Sequence, residues 1–257
     1  MPQSCDVYKC LYNRSVDKKP ANYLNKVTSL PAGRPVALGQ LKELGVSEDL
    51  AGYYARSGWL TRVAQGLYAR PGPLDLHASL TILEQRIPGC HVGGRTALAW
   101  NGIQHFVRAS PPLDLYGWNS VRLPDWFTQP FPAVYRRKRL FAESPESLLA
   151  VSRLADASNG PLTSDPERAL LEMLSEIGPR QSLAEARAIT EGAYGLREEV
   201  LLNLLSQCTS VKTVRLCLLL STQLGLPFAQ ALLAADLPAK GTGAWVSKTP
   251  EGWLVLK

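Results

Sequence analysis

Apolar positions in the first part of the chain recur at helical spacing and then give way to strand-like runs. Ala21 to Leu30 predicts a short helix, closed by Pro31 and Gly33. Leu38, Leu41 and Leu44 share one helical face, and Gly45 ends that segment where a left-handed backbone is needed. Ser47 is placed to cap a further helix, Glu48 to Ser57, whose opening acids suit its positive end, and Gly58 stops it. The period then changes. Trp59 to Val63 and Leu67 to Arg70 are β-prone runs joined by Ala64-Gln65-Gly66, a three-residue connection whose final glycine favours positive φ and so reads as a hairpin. Helix, helix, tight turn, helix and hairpin is the order of a winged helix-turn-helix, predicted here for residues 21–72, with Pro71-Gly72-Pro73 ending the unit.

The pattern after this point is longer and mixed. A helix is expected over His77 to Arg86, and His91-Val92-Gly93-Gly94 opens another through Asn101. Leu113 to Tyr116 and Ala133 to Arg136 read as strands, separated by a loop that holds Leu123-Pro124-Asp125-Trp126. From Ser164 helices dominate: Pro166 to Ile177, Ser182 to Glu191, Leu196 to Gln207 and Val211 to Leu224, with Ser164 or Asp165 as a cap and Pro166 in the first turn. Ala244 to Ser247 and Trp253 to Leu256 alternate like a closing hairpin. The expected class is α+β: a flexible tail at 1–20, the winged helix at 21–72, and a larger mixed, mainly helical domain at 77–257.

Composition adds little to that picture and contradicts none of it. The 257 residues are 46% hydrophobic, enough for one small and one medium core. The net charge of +6 points toward a polyanionic partner without identifying one. Cys5, Cys10, Cys90, Cys208 and Cys217 form no CxxC pair and no zinc-spaced cluster with histidine. Cys208 and Cys217 lie among leucines and read as small hydrophobes in a reducing cytosol. No run is long and apolar enough for a membrane span, and Met1 to Pro20 lacks the apolar stretch of a signal peptide.

Candidate contacts with double-stranded DNA follow from the helix geometry. Leu50, Ala51, Tyr54 and Ala55 share the inward face of the third helix, leaving Glu48, Asp49, Gly52, Tyr53 and Arg56 outside. Base edges in the major groove are read by donors and acceptors on such a face. Arg56 suits guanine or a phosphate, Tyr53 a phosphate or a thymine methyl, and Glu48 a cytosine amine. Ser47 stands at the helix start, and Gly52 would let the backbone approach closely. Arg62 and Gln65 project from the wing, with Arg70 near its base, positions that cross phosphates or enter the minor groove. The competing reading is a solvated helix face and an ordinary hairpin. Residues 21–72 carry Lys26, Arg34, Lys42, Arg56, Arg62 and Arg70 against Glu43, Glu48 and Asp49, a balance of +3. The densest charge lies elsewhere, at Arg136-Arg137-Lys138-Arg139, flanked by Phe131, Tyr135 and Phe141. That run could grip phosphates or an acidic partner, or be a solvated strand end, and Lys212 and Arg215 form a second, weaker pair.

Enzyme chemistry has poor support. His77, His91 and His105 are scattered without a motif-spaced nucleophile, and His91-Val92-Gly93-Gly94-Arg95-Thr96 lacks the lysine of a phosphate-binding loop. Its glycines read as a tight strand-to-helix turn. Asp17-Lys18-Lys19 falls in the polar tail, and Asp165 and Glu167 read as helix-start residues. No cofactor and no metal are expected.

An ordered set of segments resembles one family. Gly45-Val46-Ser47, Arg56-Ser57-Gly58-Trp59-Leu60 and Arg62-Val63-Ala64-Gln65-Gly66-Leu67-Tyr68 look like the winged helix of AbiEi-type antitoxins of type IV toxin–antitoxin, or abortive-infection, systems. The similarity continues through Val92 to Leu98, Leu123 to Trp126, Ser164 to Leu171, Val211 to Leu216, Trp245 to Ser247 and Trp253 to Val255. This resemblance implies a repressor that binds inverted repeats in its own promoter, and a C-terminal domain that counteracts a nucleotidyltransferase-like toxin without a stable complex being required. The alternatives are a stand-alone winged-helix regulator with a ligand-sensing or interaction domain, and a DNA-processing enzyme.

Overall fold

The computed structural model describes residues 21–104, 111–145, 147–154, 160–178, 180–237, 243–249 and 252–256. The expected tail at 1–20, with Cys5 and Cys10, and the residues His105 and Arg108 lie outside the described residues. Contacts divide the chain into two units, the first ending at Pro73 and the second beginning at Leu74.

The first unit runs α1 (Ala21–Thr28), β1 (Pro35–Ala37), α2 (Leu38–Glu43), α3 (Glu48–Arg56), β2 (Thr61–Ala64) and β3 (Leu67–Ala69). Its sheet has the order β1-β3-β2, antiparallel throughout. This is a winged helix. Pro35-Val36-Ala37, directly ahead of α2, forms the edge strand. A proline is tolerated there because its missing N–H faces no partner strand. Val27, Val36, Leu41, Val46, Ala51, Tyr54, Leu60 and Tyr68 make one buried cluster between helices and sheet.

The wing differs in detail from expectation. Ala64 pairs with Leu67 and Arg62 with Tyr68, so Val63 is a bulge and only Gln65-Gly66 turn the hairpin. Gly66 takes φ +65°, the left-handed backbone that its position requires. Trp59 stands before β2, in the turn that Gly58 opens at φ +81°.

The second unit holds α4 (Leu76–Arg86), β4 (His91–Val92), α5 (Gly94–Trp100), β5 (Leu113–Gly117), α6 (Asp125–Thr128), β6 (Ala133–Arg137), β7 (Val151–Arg153), β8 (Leu162–Ser164), α7 (Pro166–Ser175), α8 (Leu183–Thr190), α9 (Glu198–Ser206), α10 (Val211–Gln223), α11 (Ala229–Ala234), β9 (Trp245–Thr249) and β10 (Gly252–Leu256). Strands β6-β5-β4-β8-β7 form a mixed sheet, with β5/β6 and β4/β8 parallel and the other pairs antiparallel. The closing hairpin pairs β9 with β10 as expected. Leu123 to Trp126, expected as a loop, instead leads into α6, with Pro124 as its N-cap. Strands β7 and β8 and helix α11 are not among the expected elements, so the sheet is larger than the sequence pattern predicts.

Helix α7 is the centre of this unit, buried from Glu167 to Ser175 on all sides. Its polar residues are accordingly paired. Glu172 accepts from His91 Nε2 at 2.9 Å, Arg168 Nε at 2.7 Å, Ser164 Oγ at 2.9 Å and the Gly94 amide at 3.1 Å. Arg168 also donates to both Glu143 oxygens, at 2.7 and 2.8 Å. The expected strand-to-helix turn at Gly93-Gly94 is present, and its glycines are needed because a Cβ on Gly93 would fall 2.2 Å from Glu172 Oε2. Cys208 and Cys217 are buried in the core, and burial pushes the Cys217 thiol up to about 12.

Candidate nucleic-acid interface

Helix α3 separates its faces as its periodicity requires. Ala51 and Tyr54 are buried, Leu50 and Ala55 pack against the same cluster, and Glu48, Asp49, Tyr53 and Arg56 are exposed. Tyr53 is 56% exposed, high for an aromatic side chain on a folded helix. Ser47 caps the helix, its Oγ accepting from the Leu50 amide at 3.3 Å. The Arg56 guanidinium leans back over Gly52, with Nη1 3.5 Å from where a Cβ would stand. In the wing, Arg62 and Gln65 are exposed. Arg70 is partly buried and donates from Nη1 to the Leu30 carbonyl at 2.6 Å, tying the base of the wing to the chain after α1.

The two units use their cations differently. Among the described residues every ion pair lies in the second unit, so Arg34, Lys42, Arg56 and Arg62 stand exposed with no carboxylate partner. The basic run at Arg136 to Arg139 is, by contrast, largely committed within the fold. Arg136, on β6, bonds Asp114 Oδ1 at 2.7 Å and lies 3.6 Å from Glu176. Lys138 meets Glu176 at 3.0 Å. Arg137 donates to the Trp118 carbonyl at 3.2 Å, and the Arg139 guanidinium lies over the Trp118 ring, 4.8 Å from its centre. The alternation of a strand divides the run: Arg137 and Arg139 are exposed, and Arg136 and Lys138 turn toward carboxylates.

The second expected pair is also engaged. Lys212 donates to the carbonyls of Ser175 at 2.6 Å and Ile177 at 2.9 Å, completing the C-terminal end of α7. Burial, reinforced by the neighbouring Lys138 charge, lowers its ammonium to about 8. Arg215 is buried and donates to the Gly243 carbonyl. Sequence spacing gives no warning of either arrangement, because the carboxylates beside Arg136 and Lys138 and the carbonyls beside Lys212 and Arg215 lie far away in the chain. Trp59, half-exposed after Gly58, is expected to open a strand and instead lies in the turn before β2; a glycine directly before an aromatic is the clue to a turn rather than a strand start.

Elsewhere an open cleft of about 330 Å³ is lined by Leu149, Ala150, Asp165, Arg197, Val200 and Asn203. Among the described residues no group of three or more His, Cys, Asp or Glu side chains is arranged to hold a metal ion, and no helix is long and apolar enough to cross a membrane.

A winged helix with an exposed polar third helix, carried by a larger mixed unit, has the architecture of a two-part transcriptional regulator. Family models agree. One described as "Transcriptional regulator, AbiEi antitoxin N-terminal domain" matches residues 20–109, and one described as "Transcriptional regulator, AbiEi antitoxin, Type IV TA system" matches residues 110–255. The chain belongs to the AbiEi antitoxin family of transcriptional regulators of type IV toxin–antitoxin systems. The two matches meet at 109/110, inside the second compact unit rather than at Pro73. Among solved structures the chain is similar to the RV2827C protein from Mycobacterium tuberculosis, at 19% identity and a TM-score of 0.53, over 90% of this chain and 88% of that one, a likeness of fold alone. No curated protein matches the chain.

Proposed function

We propose that the protein represses its own operon in the cytoplasm by binding inverted-repeat operator DNA through the winged helix, and that residues 77–257 form an antitoxin domain that counteracts a nucleotidyltransferase-like toxin. The reading needs no catalytic step. The observation that carries the DNA half is the exposed face of α3 with Arg56, and Arg62 on the wing, neither held by a carboxylate among the described residues. In this reading α3 enters the major groove. Arg56 pairs with guanine or clamps a phosphate, Tyr53 meets a phosphate or thymine methyl, Glu48 accepts from a cytosine amine, and the Ser47 hydroxyl keeps its proton to donate. Arg62 and Gln65 follow the adjacent backbone, while Arg70 braces the wing from behind. Arg137 and Arg139 remain available to phosphates or to a protein partner. The antitoxin half rests on the family membership.

Fluorescence anisotropy with a duplex from the region upstream of the gene tests the first half. Arg56→Ala should cost about 1–3 kcal/mol on that duplex and much less on an unrelated one if Arg56 reads a base. An equal loss on both makes it a phosphate contact, and a wild-type protein that does not prefer its own upstream duplex rejects repression. For the second half, co-expression with the adjacent toxin gene should restore growth. Failure to restore it, at normal protein levels, rejects the antidote role.

A further inference from the structure

We propose that Gly52 is the point of closest contact between α3 and duplex DNA, an inference that rests on the operator-binding reading above. Glycine inside a helix is destabilising, because it gives up more backbone freedom than any other residue and packs no side chain. The other glycines around this helix have a reason within the fold. Gly45, Gly58 and Gly66 take φ values of +86°, +81° and +65°, which side chains rarely adopt, and a Cβ on Gly45 would also strike the Tyr23 ring at 2.4 Å. Gly52 has neither reason. Its backbone is helical, and a Cβ there would meet only the far end of the Arg56 side chain, at 3.5 Å, an ordinary contact. Gly39 of α2 is similarly uncrowded but belongs to the first turn of its helix, where a glycine interrupts less.

The position of Gly52 supplies what the fold does not. It lies one helical turn from Glu48 and one from Arg56, half-buried between these exposed side chains, with exposed Tyr53 beside it. Three long polar side chains therefore border a gap whose floor is half-buried backbone, overlain by the movable end of the Arg56 side chain. A groove wall or thymine methyl can enter that gap, and the helix axis then sits nearer the base edges that Arg56 and Glu48 must reach. A glycine that weakens a nine-residue helix without a turn or crowding to require it points to close backbone approach to a ligand.

Gly52→Ala and Gly52→Leu in the full chain, titrated with the upstream duplex and an unrelated duplex of equal length, test this. Alanine should raise the unfolding midpoint of the first unit while weakening binding to the upstream duplex tenfold or more, and leucine should weaken it further. The same loss should persist when Gly52→Ala is made in an Arg56→Ala background. If the loss vanishes in that background, Gly52 serves only to seat the Arg56 side chain and the proposal is overturned. Unchanged affinity in both single variants overturns it equally, while leaving operator binding by the wild type intact. A wild-type chain that shows no preference for the upstream duplex overturns both readings together.

Discussion

Replacing Glu172 with glutamine removes a charge from the centre of the second unit while keeping the side chain's shape. The carboxylate is buried and accepts from four donors, two at each oxygen. An amide accepts on one side only, so its NH₂ must face either the His91 and Arg168 donors or Ser164 and the Gly94 amide. His91 Nδ1 is already turned to the Gly89 carbonyl at 2.9 Å, so that ring cannot rotate to compensate. Breaking a buried ion pair from one side costs about 3–5 kcal/mol, because the remaining charge stays buried. For a unit of this size that lowers the melting midpoint by roughly 10 °C. Acid titration reads the same group independently. Burial pushes the Glu172 carboxyl up, but the His91 and Arg168 charges and hydrogen bonds outweigh it and hold it at about 2, against an ordinary 4.5. A folded value below the unfolded one stabilises fully above the unfolded value and is lost as pH falls toward 2. That difference corresponds to about 3 kcal/mol. Tryptophan fluorescence is a suitable probe, since Trp59 alone of the six tryptophans lies before Pro73. Glu172→Gln should lower the melt at neutral pH and flatten the acid dependence between about pH 5 and pH 2. Glu185→Gln, at a side chain 33% exposed, should cost under about 1 kcal/mol. Equal effects from the two substitutions would refute the account of α7 as a charge-paired core.

The basic run separates into two kinds of residue under the same assay. Arg136→Gln should destabilise the second unit by about 1.5–3 kcal/mol, since it takes one cation from buried Asp114, which keeps Arg95, and one from buried Glu176, which keeps Lys138. Arg139→Gln, which loses an exposed stacking contact, should cost about 0.5–1 kcal/mol and no more. Similar losses at both would mean that the run behaves as a single surface strip. In the first unit, Gly45→Ala should cost at least about 1–2 kcal/mol through its positive φ, with the Tyr23 contact adding to it. Hydrogen exchange of the α2 and α3 amides would show the loss, and unchanged protection would mean that the turn relaxes freely.

Legibility in the sequence followed the range of the forces involved. The winged helix was readable because its signals are local: Ser47 before Glu48, Gly45 and Gly58 after their helices, and the inward face at Leu50, Ala51, Tyr54 and Ala55. Strands of three residues, such as Val151–Arg153 and Leu162–Ser164, are too short to show a period, and their pairing is decided by partners distant in sequence. The same distance hid the fate of the basic residues. Arg136 looks like a free charge beside Arg137 until Asp114 and Glu176 are brought to it by the sheet and α7. Arg168 and Glu172 look like an exposed helical pair and are instead buried. Charge in the first unit could be read directly, because little there is folded against it.

The Leu38 amide donates to the Gly66 carbonyl at 2.8 Å, so the first residue of α2 is fastened to the tip of the wing. Arg70 fastens the wing's other end to the Leu30 carbonyl. Hairpin and helices are thus joined like the two jaws of a caliper, with these bonds bridging the opening. In the operator-binding reading proposed above, a duplex docking against α3 meets the wing at this offset, and a contour wrong at either jaw weakens contact at both. Discrimination of that kind depends on the width and curvature of the partner as much as on any single side chain.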